Sequence, residues 1–332
     1  MSLSTLTLSE VANAIGATVL RDASFSNLGF SIHKGPGLLS WLEHRDFLQG
    51  ILRNKEISAV VVSKELADLI PEEMGVLVHE KPREGFYKLH NHLARHTTFY
   101  GEHGPSQIDP SATIEPGAFI APQGIHIGAN VLIESGARIL PGTRIGADSI
   151  IRAGVVLGSS GLQYAKMSGK WVSIDHVGGV DIGEDVEIKE YSVVGRAIFR
   201  GNTVVGDNTK LDAYVFVAHH AKMGKRIMCC GYACIGGHSL VGDDVFVGGK
   251  AMIVNCIEVG EEARITMGSV VVSSVKPRAH VTGNWAIPHA KFLTAYGRFL
   301  ASAGKGGAFM SRKLIIIQAL RSMASTKQAC IV

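Results

Sequence analysis

VGDNTK LDAYVF VAHHAK MGKRIM CCGYAC IGGHSL VGDDVF VGGKAM IVNCIE VGEEAR ITMGSV V, residues 205–271, sets an aliphatic or sulfur-bearing side chain at every sixth position. The series is Val205, Leu211, Val217, Met223, Cys229, Ile235, Val241, Val247, Ile253, Val259, Ile265 and Val271. Small or turn-forming residues usually follow, among them Gly206, Asp212, Ala218, Gly224 and Gly236. A helix would repeat at 3.6 residues and a strand at 2. A period of six fits a coil in which a short strand, a tight turn and one inward side chain form each side of a prism.

The same phase runs upstream through Ile108, Ile114 and Ile120, slips by one at Gly124, and continues from Ile127 to Leu157. An insertion over residues 158–181 follows, and the phase resumes at Ile182, Ile188 and Val194. From Val194 to Val205 is eleven residues, which reads as one coil a residue short. Three hexads per turn give roughly eight turns, and a strand spacing of about 4.8 Å makes a prism about 40 Å long. Stacked repeats bury a common core and send insertions out as loops on one face.

Residues 1–100 read as a separate small α/β domain suited to nucleotide binding. Ser9 is placed to cap a short helix whose apolar face includes Val11, Ala14 and Ile15. Ser58–Val62 and Gly75–Val78 have the composition of strands, and residues 84–98 that of a helix. The hexapeptide domain then spans 101–288. Residues 289–332 form a basic helical tail, helical over 289–303 and again around Lys313–Met323. The fold class is therefore mainly β, with a small N-terminal α/β domain and C-terminal helices.

The 39 glycines suit turns recurring every six residues. The apolar run Leu314–Ile317 is far too short to span a bilayer, and no signal segment opens the chain. The five cysteines lack disulfide or metal spacing, and Cys229 falls on an inward stack position, so core packing is its expected role. This usage points to a reduced, cytoplasmic setting. The net charge of +4 conceals an asymmetry. From Ala263 onward there are ten Lys or Arg and no Asp or Glu, leaving a net of −6 on the first 262 residues. A one-signed end suits an anionic partner such as an acidic carrier protein, a phosphorylated cofactor or a membrane surface. The basic amphipathic stretch 308–328 is the candidate for peripheral membrane contact. No aromatic-rich basic groove accompanies the charge, which argues against nucleic acid.

Within the repeat, Leu211-Asp-Ala-Tyr-Val-Phe-Val-Ala-His-His220 sets His219 two residues beyond an inward valine, near a corner of the prism. A histidine there can accept a proton at neutral pH. Asp212, read as one coil earlier and directly beneath Ala218, is the candidate to orient that imidazole. Gly237, eighteen residues after His219, offers an unobstructed backbone N–H to a developing oxyanion.

The insertion reads Gly158-Ser-Ser-Gly161-Leu-Gln-Tyr164-Ala165, then Gly169-Lys-Trp171-Val172, then Gly178-Gly-Val-Asp-Ile182-Gly183. It resembles the insertion of the UDP-3-O-(3-hydroxyacyl)glucosamine N-acyltransferase family of lipid A synthesis, which shows a Gly-x-x-Gly-x-x-Tyr-Ala, Gly-x-Trp-Val and Gly-x-Val-x-Ile-Gly series at matching spacing. The likeness extends from about residue 5 to 290 and is strongest over 157–250. It implies a left-handed parallel β-helix and a homotrimer with sites between subunits. It also implies acyl transfer from a thioester, on acyl carrier protein or coenzyme A, to the amine of a nucleotide-linked amino sugar, with no permanently bound cofactor and no metal. The family's general base falls on His219 and its oxyanion glycine on Gly237. Its uracil-stacking Phe and nearby Asn correspond to Trp41 and His44. Tyr164, His220, His238 and Cys256 complete the expected substrate contacts, Cys256 standing where the family has a second histidine. Ala213 and the 194–201 segment also depart from the pattern. A paralogue acylating another nucleotide amino sugar for a surface polysaccharide, and a non-catalytic trimeric sugar-nucleotide-binding scaffold, are the competing readings. A β-helix hydratase with a metal on His219, His220 and His238 is the third.

Overall fold

The computed structural model describes residues 4–283 and 288–304. Three parallel sheets of eight, eight and nine strands wrap around one axis as a left-handed parallel β-helix. Partners lie one coil apart, so each inward column stacks on itself. Leu211, Cys229 and Val247 pair on one face, Val217, Ile235 and Ile253 on the second, and Val205, Met223 and Val241 on the third. Most strands are two residues long, the first pointing out and the second in. The inward residues form one continuous dry core. Cys229 is part of it, as its phase predicts, and burial pushes its thiol up.

Four residues turn the chain between faces. The third residue after each inward aliphatic adopts a left-handed φ near +60°, from Asn208 through Tyr214, His220, Arg226, Tyr232, His238, Asp244, Lys250 and Cys256 to Glu262. A residue with a β-carbon gives up about 1–2 kcal/mol there. Backbone hydrogen bonds to the preceding coil offset that cost, as in His238 N–H to His219 O (3.0 Å) and Cys256 N–H to Gly237 O (2.9 Å). The prism thereby acquires three corners, each repeating every eighteen residues.

The spacing between Val194 and Val205 has a different cause from the one the sequence suggests. The strands Val193–Gly195 and Asn202–Val205 occupy consecutive faces, pairing with Val156–Ser159 and Gly179–Ile182 respectively. Eleven residues therefore stand where six would do, and no coil is short. The surplus is a loop that carries Ile198 and Phe199 into the core of the small domain.

That domain has a five-stranded sheet in the order Thr18–Arg21, Gly75–Val78, Ile57–Val62, Leu38–Leu42, Asn27–Leu28. Helices α1 (Leu8–Ile15) and α3 (Pro82–His96) cover one face and α2 (Leu48–Arg53) the other. The cap of α1 is Thr7, not Ser9: Thr7 and Glu10 form a reciprocal capping box. Ser9 lies inside the first turn and bonds Asp22, and Leu8, Val11, Ala12 and Ile15 make the buried face while Ala14 is exposed.

The insertion is a hairpin, Tyr164–Met167 with Lys170–Ser173, closed by Ser168 and Gly169, both at positive φ. Such a two-residue turn matches the right-handed twist of the flanking strands. Helix α3 clamps the end of the insertion. Asn91 exchanges hydrogen bonds with Ser173 and Asp175, Arg95 grips the Asp175 carboxylate, and His90 donates to the Asp175 carbonyl. The hairpin thus holds the small domain against the prism. Helix α4 (His289–Gly304) follows, close to the expected 289–303. The expected helix at Lys313–Met323 and the 308–328 stretch lie outside the described residues.

Candidate active site

The corner carrying His219 and His220 is the one the small domain and the insertion cover. His219, His220 and His238 are all buried there, although each sits on an edge of the prism. The Gly237 Cα lies against the His219 ring, and a β-carbon built on Gly237 would stand 2.6 Å from Cε1. Gly161 approaches from the insertion, where a β-carbon would come to 3.3 Å of His219 Cδ2. Two glycines therefore make room for one imidazole. The third wall is His176, whose ring centroid is 5.9 Å from that of His219. His176 accepts from the Gly161 N–H (3.1 Å) at Nε2 and faces the Ile174 carbonyl at Nδ1 (3.1 Å), which fixes its tautomer.

Desolvation, with His176 adding to it, holds His219 down at about 4, while its own backbone carbonyl works weakly the other way. The imidazole is neutral throughout the physiological range, as a proton acceptor must be. Its Nδ1 is buried and has no hydrogen-bond partner among the described residues. Asp212, expected to fill that place, does not touch it. Asp212 is exposed on a different face of the prism, where its carboxylate accepts from the Gly231 N–H at 3.0 Å. The seven-residue spacing crosses from one sheet to the next, so within one chain the two side chains diverge. Within one chain it is the packing of Gly161, Gly237 and His176 that holds the His219 ring.

Gly237 occupies the expected place above His219, but its N–H is already engaged, donating to Asn255 Oδ1 at 2.8 Å. His220 and His238 stack with ring centroids 4.5 Å apart, and His33 from the small domain packs against both at 4.8 Å. Candidate ligand nitrogens of these three lie within 4.8 Å of one another, the spacing of a metal centre. The hydrogen bonds have the wrong polarity for one. The Phe30 N–H donates to His33 Nδ1 (2.8 Å) and the Ile198 N–H to His220 Nδ1 (3.1 Å). Metal-bound imidazole donates through its free nitrogen, whereas these two rings accept there and carry their protons on Nε2. His33 Nε2–H then donates to His238 Nδ1 at 3.1 Å. The result is a set of neutral rings, all held well below the ordinary histidine value by desolvation. The Nε2 groups of His220 and His238 are buried without partners among the described residues. Within one chain His33, and not His219, joins His220 and His238 in this cluster.

The remaining expected contacts are dispersed. Trp41 is buried in the small-domain core beside Phe86, on the sheet face that α1 and α3 cover, so its indole is packed and not presented for stacking. His44 is exposed near Phe47. Tyr164 is partly exposed on the insertion hairpin. Cys256 shares the corner of His220 and His238 and packs against the small-domain core. His33, His176 and Gly161 come from outside the regular coils; Gly161 belongs to the glycine series of the insertion, whereas no sequence signal marks His33 or His176. Asn255 was findable, since it follows Gly237 by the same eighteen residues that separate Gly237 from His219.

Comparison with known proteins bears on this arrangement. The bacterial transferase hexapeptide (six repeats) family matches residues 124–159. A UDP-3-O-acylglucosamine N-acyltransferase of Coxiella burnetii (strain Dugway 5J108-111) is 32% identical, covering 84% of this chain and 89% of its own length. The protein of the same name from Albidiferax ferrireducens is 30% identical over 85% and 88%. Among solved structures, a UDP-N-acetylglucosamine acyltransferase from Campylobacter jejuni is 22% identical with a TM-score of 0.40, covering 68% of this chain and 94% of that one.

Proposed function

From the premise that this chain belongs to the UDP-3-O-acylglucosamine N-acyltransferase family, and so is an amide-forming acyltransferase of the lipid A pathway, we propose that His219 is its general base. The carrying observation is a neutral, desolvated imidazole held between Gly161, Gly237 and His176 at the junction of prism, insertion and small domain. The amine of a UDP-linked 3-O-acylglucosamine attacks the carbonyl of a thioester borne by acyl carrier protein or coenzyme A. The C–N bond forms as His219 takes the amine proton, and the oxyanion collapses to expel the thiolate, which recovers the proton. No carboxylate of the same chain takes part, so Asp212 has no place in this step unless a neighbouring copy brings its own. His220 and His238, with their buried Nε2–H groups, are donors toward the sugar nucleotide, with Tyr164 and His44 at its margin.

The sheet that leads into His219 presents an outer column of Phe119, Arg138, Val156, Val193, Phe216, Cys234, Met252 and Val270, apolar apart from Arg138. Much of it is exposed, and burial of such a column against other copies supports a homotrimer with this site at the boundary. A monomer mass at sedimentation equilibrium would overturn that assembly. No helix among the described residues is long and apolar enough to cross a membrane. The enzyme works in the cytoplasm on hydroxyacyl thioesters of carrier protein or coenzyme A.

The test is a mass-spectrometric product assay. UDP-3-O-acylglucosamine and other nucleotide amino sugars are offered with hydroxyacyl carrier protein or acyl-coenzyme A. A new amide in wild type, reduced by about 10³-fold in His219→Ala, is the expected result. Equal turnover in both removes His219 as the base, and amide formed only on a different sugar redirects the substrate assignment.

A further inference from the structure

We propose that His176 is a positioning residue for this reaction, latching the insertion over His219 so that the base stays dry; this rests on the acyl-transfer reading above. Gly161 is wedged between the two rings. A β-carbon built on it would stand 3.3 Å from His176 Nε2 and 3.3 Å from His219 Cδ2. The Gly161 N–H donates to His176 Nε2 at 3.1 Å, so that nitrogen is the acceptor and Nδ1 carries its proton toward the Ile174 carbonyl. Packing holds this stretch weakly, since the next residue, Leu162, is 77% exposed. The Gly161 carbonyl is engaged only locally, by the Gln163 N–H two residues on.

The accepting ring is itself fixed from the small domain. On either side of it, the Ile174 N–H donates to Gln163 O and the Val177 N–H to Ile198 O, both at 2.9 Å. Between them α3 holds Asp175. The Asp175 N–H donates to Asn91 Oδ1 (3.0 Å), and its carbonyl accepts from His90 Nε2–H (2.7 Å). Its carboxylate takes Arg95 at 2.6 and 3.1 Å, and the Tyr100 O–H donates to His90 Nδ1 at 2.7 Å. His176 therefore passes the placement of the small domain on to the base.

The groups facing His219 are imidazoles: His176 from the insertion, and His238 and His220 with ring centroids 5.1 and 6.2 Å away. Arg196 and Asp175 act on His176, while Lys222 acts on His220, His238 and the His33 that packs against them. Desolvation is the largest influence on His219 itself. An insertion that lifts off admits water and returns the ring toward its ordinary value of about 6.5.

Two substitutions part the acceptor from the ring. His176→Gln keeps an acceptor of similar reach without a ring, and His176→Phe keeps a ring without an acceptor. The product assay is run from pH 5.5 to 8 and read as the ratio of variant to wild-type kcat/KM, in which titration of the substrate amine cancels. Thermal unfolding checks both folds, and His176→Leu replaces His176→Phe should the latter not fold. His176→Gln is expected to lose only a few-fold, equally at every pH. His176→Phe is expected to lose about 10–10²-fold in kcat at pH 8 with KM little changed. Its ratio then falls by up to about tenfold more at pH 5.5, as a ring titrating near 6.5 would. Full activity in His176→Phe with loss in His176→Gln makes His176 a wall and overturns the latch. Undiminished activity in both variants overturns it too, as does a loss in His176→Phe that is the same at every pH. If wild type forms no amide, or His219→Ala turns over equally, the acyl-transfer reading falls and this assignment with it. With wild type active and His219→Ala inactive, the His176 outcomes bear on the latch alone.

Discussion

Two corners of the same prism share one backbone and differ in everything else. At one corner Tyr191, Tyr214 and Tyr232 sit at φ near +60° and stack with ring centroids 5.4 and 4.9 Å apart, all exposed. At another, His220, His238 and Cys256 have the same φ and the same eighteen-residue spacing. There the rings are buried under Phe30, His33 and Phe199, and their neighbours His219, Gly237 and Asn255 form the site. The repeat builds equivalent corners, and the covering decides which becomes chemistry. A small domain and a hairpin remove water from one, which lowers the proton affinity of its histidines. The tyrosines keep their water.

The comparison can be broken at several strengths. The largest effect lies at Gly237. Gly237→Ala puts a methyl 2.6 Å from His219 Cε1, so the imidazole must move, and an ångström of misplacement is worth about 10²-fold in rate. The product assay should show that loss with the fold intact by circular dichroism. An alanine that leaves kcat unchanged would mean the covered corner tolerates what its packing forbids.

Acid comes next. His33 is held at about 3, His90 and His219 at about 4, and His220 and His238 well below the ordinary value, in each case chiefly by burial. The unfolded chain, titrating near 6.5, takes up protons first as pH falls. Stability is therefore full above pH 6.5 and is lost progressively from there toward pH 3–4. Urea midpoints between pH 7.5 and 5 should fall with pH. His238→Asn, which keeps a residue tolerant of positive φ, should flatten the slope by about 1.4 kcal/mol per pH unit. An unchanged slope would place this histidine in water. Replacing a tyrosine of the exposed corner should leave the slope alone.

The smallest effect is at that exposed corner. Tyr214→Ala removes two stacking contacts that water already competes for, and should cost about 1 kcal/mol in urea unfolding with no change in turnover. A larger loss, or a loss of activity, would show that the tyrosine ladder is covered in the assembled enzyme.

Much of the prism was legible because periodicity is a local property. An inward aliphatic every six residues can satisfy only one kind of coil, and the observed pairs Leu211 with Cys229 and Val217 with Ile235 follow directly from it. The place of Gly237 against His219 was legible for the same reason, since eighteen residues make one turn. Sequence proximity without the turn count is no guide to contact. Asp212 is seven residues from His219 yet faces outward on another sheet, and the eleven residues before Val205 hold a loop, not a shortened coil.

The sequence by itself determined the coil, its core and the corner that carries His219, because each depends on a side chain's phase along the chain. Tertiary structure alone decided that this corner is dry. His33, His176 and Gly161 arrive from the small domain and the insertion, Trp41 turns into the core, and Asn255 takes the Gly237 N–H. Burial and tautomer depend on what packs over a residue, and His33 reaches His238 from 205 residues away in the chain.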